Sequence, residues 1–204
     1  MARNDFWRVN LSSGRVGLRP LAMSDAGAWR EVRARNLAWL RPWEATVPAG
    51  DRSGPRTFRG LVRDLRRQAR AGRALPFAVT VDGRFAGQLT VTNIAAGSAR
   101  WGQVGYWIDK RYAGQGVMPT AVAMAVDYCL LDLDLHRIEV AIRPENAASL
   151  RVVEKLGFTR IGVAARYLHI DGEWRDHVLF AITAEDVPDG LLRRYQERYG
   201  APNL

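Results

Sequence analysis

The stretch from Val104 to Pro119, VGYWIDKRYAGQGVMP, constrains this 204-residue chain more than any other. Val104, Tyr106 and Ile108 alternate as a half-buried strand does, Asp109 and Lys110 break the run, and Gly114 and Gly116 leave the backbone bare and free to take positive φ. Pro119 then suits the first turn of a helix, where it removes no needed donor. A helix that starts after such a loop aims unpaired N–H groups, and the positive end of its macrodipole, at one point in space. That point favours an anion, a phosphate above all. Taken alone, Arg111-Tyr112-Ala113-Gly114-Gln115-Gly116 fits equally well a turn into a helix with two incidental glycines, so the flanking sequence decides.

Two familiar glycine loops are excluded by spacing. The dinucleotide fingerprint G-x-G-x-x-G needs a third glycine where Pro119 stands, and a P-loop needs Gly-Lys-Ser/Thr, which is absent. A hydrophobic share of 48% with 25% charged residues is ordinary globular composition, and the length suits a single domain over 1–204, with residues 1–15 as a possible arm and 185–204 as a helical tail. The net charge of +9 favours a polyanionic ligand or surroundings, such as a coenzyme with three phosphates or an RNA-rich particle; charge spread for solubility is the alternative. Cys129 stands alone, so no intrachain disulfide forms, and His136, His169 and His177 are too scattered for a metal site. We therefore expect no metal and a reducing, cytoplasmic setting. No apolar run reaches spanning length and the N-terminus lacks a signal pattern, so no membrane partner is expected.

Along the chain, residues 1–15 read as an arm or a short first strand, and Val16 and Leu18 before Arg19-Pro20 read as an edge strand. Ser24 is placed to cap a helix carrying Trp29 and Val32. Arg35 to Glu44 crowds Trp39, Trp43, Pro42 and a lone carboxylate into ten residues, too aromatic for a linker. A helix is predicted from Gly54 to Ala71, with Phe58, Leu61 and Leu65 inward and its arginines forming a solvated face. Phe77–Val81 and Phe85–Val91 flank Asp82-Gly83, a hairpin signal, and Arg100–Ile108 adds a third strand. The helix after the glycine loop runs to about Asp132 with Asp127 outside. Ile138, Val140 and Ile142 alternate as a strand, and Asn146 caps a short helix that ends at Gly157. Tyr167–Ile170 and Trp174–Ile182 flank Asp171-Gly172, a second hairpin signal, before a helical tail from Pro188 to Tyr199. The fold class is α/β, a mixed and largely antiparallel sheet flanked by helices.

Arg111 to Gly116 resembles the R/Q-x-x-G-x-G/A pyrophosphate loop of the GCN5-related N-acetyltransferases. With Arg143-Pro144-Glu145-Asn146-Ala147-Ala148-Ser149 and Glu154-Lys155-Leu156-Gly157-Phe158, the resemblance extends from about Val16 to Ala184. Three stretches are similar to the ribosomal-protein-alanine N-acetyltransferases of the RimJ/RimL type: Arg35-Asn36 with Pro42-Trp43-Glu44, the Asn146 and Ser149 pair, and Asp171-Gly172-Glu173-Trp174-Arg175-Asp176-His177-Val178-Leu179, which points to the RimJ branch. The resemblance implies the acyl-CoA N-acyltransferase fold, acetyl-CoA as co-substrate, and a protein N-terminus as acceptor, a ribosomal protein by preference. It allows ribosome association and implies no sequence-specific nucleic acid binding. Acetylation of a small amine such as a polyamine or an aminoglycoside, or a ribosome-associated assembly role without catalysis, are the alternatives.

Attack of an amine on a thioester needs phosphate anchoring, a polarised carbonyl, a route for the amine's proton and a proton for the thiolate. Backbone N–H groups of Gln115, Gly116, Val117 and Met118, after Gly114, are suited to a pyrophosphate, with Arg111 adding charge. By resemblance, Tyr106, Trp107 and Ile108 splay from the strand at Ile138–Ile142 and hold pantetheine and the thioester oxygen; as side chains they are equally good strand formers. Asn146 is explained by capping and, by resemblance, contacts the coenzyme. Ser149 is explained as a first-turn residue and, by resemblance, is the acid that protonates the thiolate. Tyr167 is the reserve candidate for that acid and a substrate-side residue, though a buried hairpin tyrosine explains it more simply. Glu44 beside Trp43, with Trp39 nearby, is placed to hold an ammonium and take its proton, or is a solvated loop glutamate. Arg166 occupies a position where RimL-like relatives carry an acid, and Asp176 and His177 fit local pairing better than catalysis.

Overall fold

The computed structural model describes residues 6–51 and 57–200. Among them one sheet of eight strands runs in the order β1-β2-β3-β4-β5-β6-β8-β7: β1 (Leu11–Ser13), β2 (Val16–Pro20), β3 (Leu75–Val81), β4 (Arg84–Ala95), β5 (Trp101–Ile108), β6 (Arg137–Ile142), β7 (Thr159–Ile170) and β8 (Glu173–Thr183). Every neighbouring pair is antiparallel except β5 and β6. That one parallel pair requires a crossover, and α4 (Val117–Asp127) supplies it. Every residue of α4 from Val117 to Val126 is buried, which is why its sequence is apolar all round rather than striped.

The sheet is covered on both faces. Leu75, Phe77, Val79 and Val81 join the core around α4, while Ala78 joins Leu21, Phe58, Val62 and Leu65 beneath α1 (Ala26–Arg35) and α3 (Phe58–Arg70). β3 is therefore buried along its whole length and reads as a continuous apolar run. The two hairpin signals hold: Asp82 and Gly83 (φ 50° and 75°) and Asp171 and Gly172 (φ 47° and 86°) make two-residue turns of the primed kind, whose twist matches the flanking strands.

β5 treats its two edges differently. It pairs with β4 through to Ile108, but with β6 only at Trp101, Gly102 and Gln103. β6 instead pairs with β8 from Arg137 to Ile142. From Val104 onward the two parallel strands diverge, as expected, and a cleft opens between them. On the closed edge, a Cβ at Gly87 would lie 2.3 Å from the Trp107 carbonyl oxygen, so β4 approaches the end of β5 at a distance that only glycine permits.

Several sequence expectations are corrected. β2 is not an edge strand, because β1 pairs along its outer side. Ser24 caps nothing: the Asp25 carboxylate accepts from the Ala22 amide (2.8 Å) and pairs with Arg19 (2.6 Å), a stronger anchor for the same chain reversal. Asp127 does not merely face outward; it accepts from the amides of Leu191 (2.5 Å) and Leu192 (2.9 Å) and so caps α6 (Leu191–Tyr199). β7 starts at Thr159 rather than Tyr167, its hydrophobic alternation hidden by register shifts between Arg160 and Gly162 and between Ala164 and Leu168. α3 is capped by Thr57, whose side chain accepts from the Gly60 amide (3.1 Å). The predicted helix start at Gly54, the beginning of the arm at residues 1–5 and the last tail residues 201–204 lie outside the described residues. No helix among the described residues is long and apolar enough to cross a membrane.

Candidate active site

The cleft between β5 and β6 opens into a cavity of about 950 Å³, within the size range of small-molecule and cofactor sites. Its floor is the end of β5, with Tyr106, Trp107 and Ile108 among its lining. On its β6 side, the backbone of β5 beyond Gln103 has no strand partner, so peptide donors and acceptors face the opening.

One end of the cavity is the glycine loop. Gly114 and Gly116 both take φ of 78°, and Gly116 is the N-cap of α4 in left-handed conformation. The first helical bond, from the Thr120 amide to the Gly116 carbonyl (3.1 Å), is doubled by the Thr120 hydroxyl (2.9 Å). Ahead of it, the amides of Gly114, Gln115, Gly116, Val117 and Met118 donate to no acceptor among the described residues. Five bare donors at the positive end of a buried helix form an anion cradle, and that orphaned set fits a pyrophosphate. Arg111 and Gln115 do not line the cavity: Arg111 pairs with Asp109 (3.0 Å), and the Gln115 side-chain Nε2 donates to the Arg111 carbonyl (2.6 Å). α6 walls this end, since a Cβ at Gly116 would lie 3.3 Å from the Tyr195 hydroxyl and the Tyr195 ring packs 5.3 Å from that of Tyr199. The Lys155 ammonium stands over Tyr199 at 5.5 Å, and with Arg151 it adds positive charge. Lys155 and Tyr199 were missed from the sequence, because nothing local links a helix C-terminus to a tail residue so far along the chain.

Asp109 ties this loop to the other side of the site. Its carboxylate, only 1% exposed, accepts from Arg35 (2.7 Å), Asn36 (2.9 Å) and both the amide and side chain of Arg111 (3.2 and 3.0 Å). Asn36 in turn accepts from the Lys110 amide (2.9 Å). Burial alone would raise the Asp109 carboxyl, but the hydrogen bonds from Arg35, Asn36 and Arg111 outweigh it and hold it at about 2. The Arg35-Asn36 dipeptide is thereby explained: it fastens the end of α1 to the strand-to-loop junction.

The other end of the cavity is aromatic. Trp39 and Leu40 of α2 (Leu37–Leu40) line it with Trp43, Glu44, Ala45 and Arg33. Arg33 pairs with the Glu44 carboxylate and lies over the rings of Trp29 (4.8 Å) and Trp107 (5.5 Å), so Glu44 is not a freely solvated loop residue. Arg143 donates to the Pro42 carbonyl (2.8 Å) and stacks on Trp43 (5.4 Å). The Asp171-Gly172 turn holds the Glu44 backbone from outside: the Asp171 amide donates to the Glu44 carbonyl (3.0 Å), the Gly172 amide to the Thr46 hydroxyl (3.0 Å), and Arg41 pairs with Asp171 (3.2 Å). The hairpin stretch Asp171–Leu179 therefore acts at its turn, as a support for the Glu44 loop.

Asn146 caps α5 (Ala147–Lys155) by accepting from the Ser149 amide (3.1 Å), as expected, and both line the cavity. The Ser149 hydroxyl has no partner among the described residues, while the Ser149 carbonyl accepts from Tyr106 (3.5 Å), whose hydroxyl burial pushes well above its ordinary value. Tyr167 departs from expectation. It is 39% exposed, meets His177 edge-on (5.9 Å) and does not line the cavity, because the irregular register between Ala164 and Leu168 turns that part of β7 outward. Asp176 accepts from the Arg166 amide (2.7 Å) and His177 donates to the Arg175 carbonyl (3.0 Å), local pairings of the kind expected. Burial pushes the Cys129 thiol up to about 12, so it is inert. No cluster of metal-binding side chains occurs among the described residues.

A family described as an acetyltransferase (GNAT) domain matches residues 15–159. The [ribosomal protein uS5]-alanine N-acetyltransferase of Escherichia coli (strain K12) is 32% identical over 197 residues, 92% of this chain and 97% of that protein. Among solved structures, Mycobacterium smegmatis RimJ in complex with CoA-disulfide is similar with a TM-score of 0.88 and 38% identity, covering 96% of this chain and 97% of that one. The ribosomal-protein-S5-alanine acetyltransferase of Vibrio fischeri is similar with a TM-score of 0.76 and 30% identity, covering 87% of this chain and 98% of that one. With a glycine loop of bare amides opening a buried helix, a parallel strand pair splayed beside it and a family match over most of its length, the chain belongs to the GNAT family of acetyl-CoA-dependent N-acetyltransferases.

Proposed function

We propose that this protein, acting as a single catalytic domain in the cytoplasm, transfers the acetyl group of acetyl-CoA to the N-terminal α-amine of a ribosomal protein. The observation that carries the reading is the continuity of one cavity from the bare amides at Gly114–Met118 to the Trp39, Trp43 and Glu44 end. The relatives named as ribosomal-protein-alanine acetyltransferases support the acceptor class. Acetyl-CoA supplies an acyl thioester, whose C–S bond breaks as the acceptor nitrogen bonds the acyl carbon. The loop amides hold pyrophosphate charge with Arg151 and Lys155 adding positive charge, Arg111 braces the loop through Asp109, Asn146 contacts the coenzyme arm, and the unpaired edge of β5 at Tyr106, Trp107 and Ile108 supplies peptide groups for the pantetheine and the acyl oxygen. Trp39 and Trp43 enclose the chain terminus. Glu44, oriented by Arg33, receives the proton leaving the nitrogen, directly or through water, and Ser149 donates one to the departing sulfur. Tyr167 is left without a direct contact.

An α-amine fits this modest equipment. With a pKa of about 7.8 it is roughly a tenth neutral at pH 7, whereas a lysine at about 10.4 is well under a thousandth neutral. A polyamine acceptor would favour an acidic pocket, yet the lining carries Arg33, Arg151 and Lys155 against Glu44 and Glu154. The test offers two matched peptides, one with a free N-terminal alanine and no lysine, the other N-terminally blocked with an internal lysine, and locates the acetyl group by mass spectrometry. Acetylation of the free terminus is expected. Preference for the blocked lysine peptide, or turnover on spermidine alone, would overturn the assignment.

A further inference from the structure

α3 presents two faces of opposite character. Phe58, Val62, Leu65 and Ala69 are buried against the sheet, while Arg59, Arg63, Arg67 and Arg70 are exposed on the other side, with Arg66 half-buried beside them and Arg73 exposed just beyond the helix. The spacing of Arg59, Arg63, Arg66, Arg67 and Arg70 is that of one helical stripe, about 16 Å long at 1.5 Å per residue. The single acid on the helix, Asp64, is occupied by Arg67 and by Gln68 (2.7 Å). The guanidinium groups of Arg59, Arg63, Arg66, Arg70 and Arg73 make no ion pair or hydrogen bond among the described residues. A solvated helix face in this same protein looks different: on α6 Arg193 pairs with Glu197 (2.9 Å) at i,i+4 spacing. Four like charges left uncompensated along one stripe, with Arg73 just past its end, repel one another unless a polyanion answers them.

We propose that the arginine face of α3 docks this enzyme on the phosphate backbone of RNA. An acidic protein surface would satisfy the charge, but protein interfaces carry an apolar or aromatic core inside a polar rim, and the exposed stripe of α3 offers none. Phosphate-backbone binding needs no such core, because release of counterions from the nucleic acid drives it. The choice of RNA rests on the ribosomal-protein reading above. Docking would raise the local concentration of a ribosomal N-terminus at the cavity without adding any contact to the reaction itself.

The test is fluorescence anisotropy of a labelled RNA hairpin titrated with wild type and with the combined variant Arg59→Gln, Arg63→Gln, Arg70→Gln and Arg73→Gln, at several salt concentrations. Acetylation of a short free-terminus peptide is assayed in parallel, so that failure of RNA docking and failure of the acceptor assignment are read separately. Four lost phosphate contacts should lower the slope of log affinity against log salt by about 3, so that salt raised fourfold weakens wild type about 60-fold more than the variant, with peptide turnover unchanged. The single variant Arg63→Gln, expected to lower the slope by about 1, serves if the combined variant loses peptide activity or cooperative unfolding. Equal RNA affinity and slope for variant and wild type would overturn the proposal. So would displacement of the RNA by polyglutamate at matched charge, which would assign the face to an acidic protein.

Discussion

The two edges of β5 differ along the length of one strand. Toward β4 it is paired through to Ile108 and pressed so closely that Gly87 cannot carry a side chain; toward β6 it pairs at Trp101–Gln103 and is then released. The paired edge holds the strand rigid, and the released edge leaves peptide groups free for a ligand. A backbone can serve as a binding surface only if its other edge is fully satisfied, since a strand loose on both sides would neither stay in place nor keep its donors aimed.

The comparison is broken most severely at the paired edge. Gly87→Val drives a side chain into the Trp107 carbonyl and should cost about 3 kcal/mol of stability or more, read from the midpoint of chemical unfolding. Asp109→Asn should cost about 2 kcal/mol, because it leaves Arg35 and Arg111 without their shared carboxylate, and should also raise KM for acetyl-CoA by loosening the loop. In wild type the Asp109 contribution is full above about pH 4, the ordinary carboxylate range, and is lost as pH falls through about 2; the variant's stability should therefore vary less across that window, measured by thermal unfolding against pH. Gly114→Val acts on the ligand side, where a β-branched residue at φ of 78° is strained and obstructs approach to the amides; calorimetry should show coenzyme affinity lower by about tenfold, or 1.4 kcal/mol. Ser149→Ala should slow kcat by several-fold, under about 1.4 kcal/mol, because a thiolate with a conjugate acid near 8.5 needs only modest help, and the loss should show in steady-state rates with KM for acetyl-CoA little changed. The smallest effect belongs to Gly105→Ala in the same strand: nothing lies within 4 Å of the point where its methyl group would stand, so stability should stay within about 0.5 kcal/mol. An equal loss at Gly87 and Gly105 would show that the close approach to the Trp107 carbonyl is not what makes Gly87 necessary.

Local rules made much of the fold legible. The Asp82-Gly83 and Asp171-Gly172 turns, the Asn146 cap and the positive φ at Gly114 and Gly116 depend on neighbouring residues alone, so a short window of sequence suffices to find them. The glycine loop was likewise found because strand, loop and helix adjoin in the chain, whereas the splay of β5 from β6 was expected only from the family resemblance. Register irregularity hid β7, since a bulge shifts the alternation that periodicity relies on, and the same irregularity put Tyr167 outside the cavity.

What the sequence by itself determined about this protein is its loops, turns, core helix and the residue types able to meet a phosphate and an amine. What only the tertiary structure decided is which distant groups share a charge: Arg33 with Glu44, Arg35 and Asn36 with Asp109, Asp127 with the start of α6, Lys155 with Tyr199. Turn and cap preferences act through a few covalently linked residues, whereas an ion pair or a cation–π contact acts through space and belongs to whichever segments the sheet and its crossover bring together.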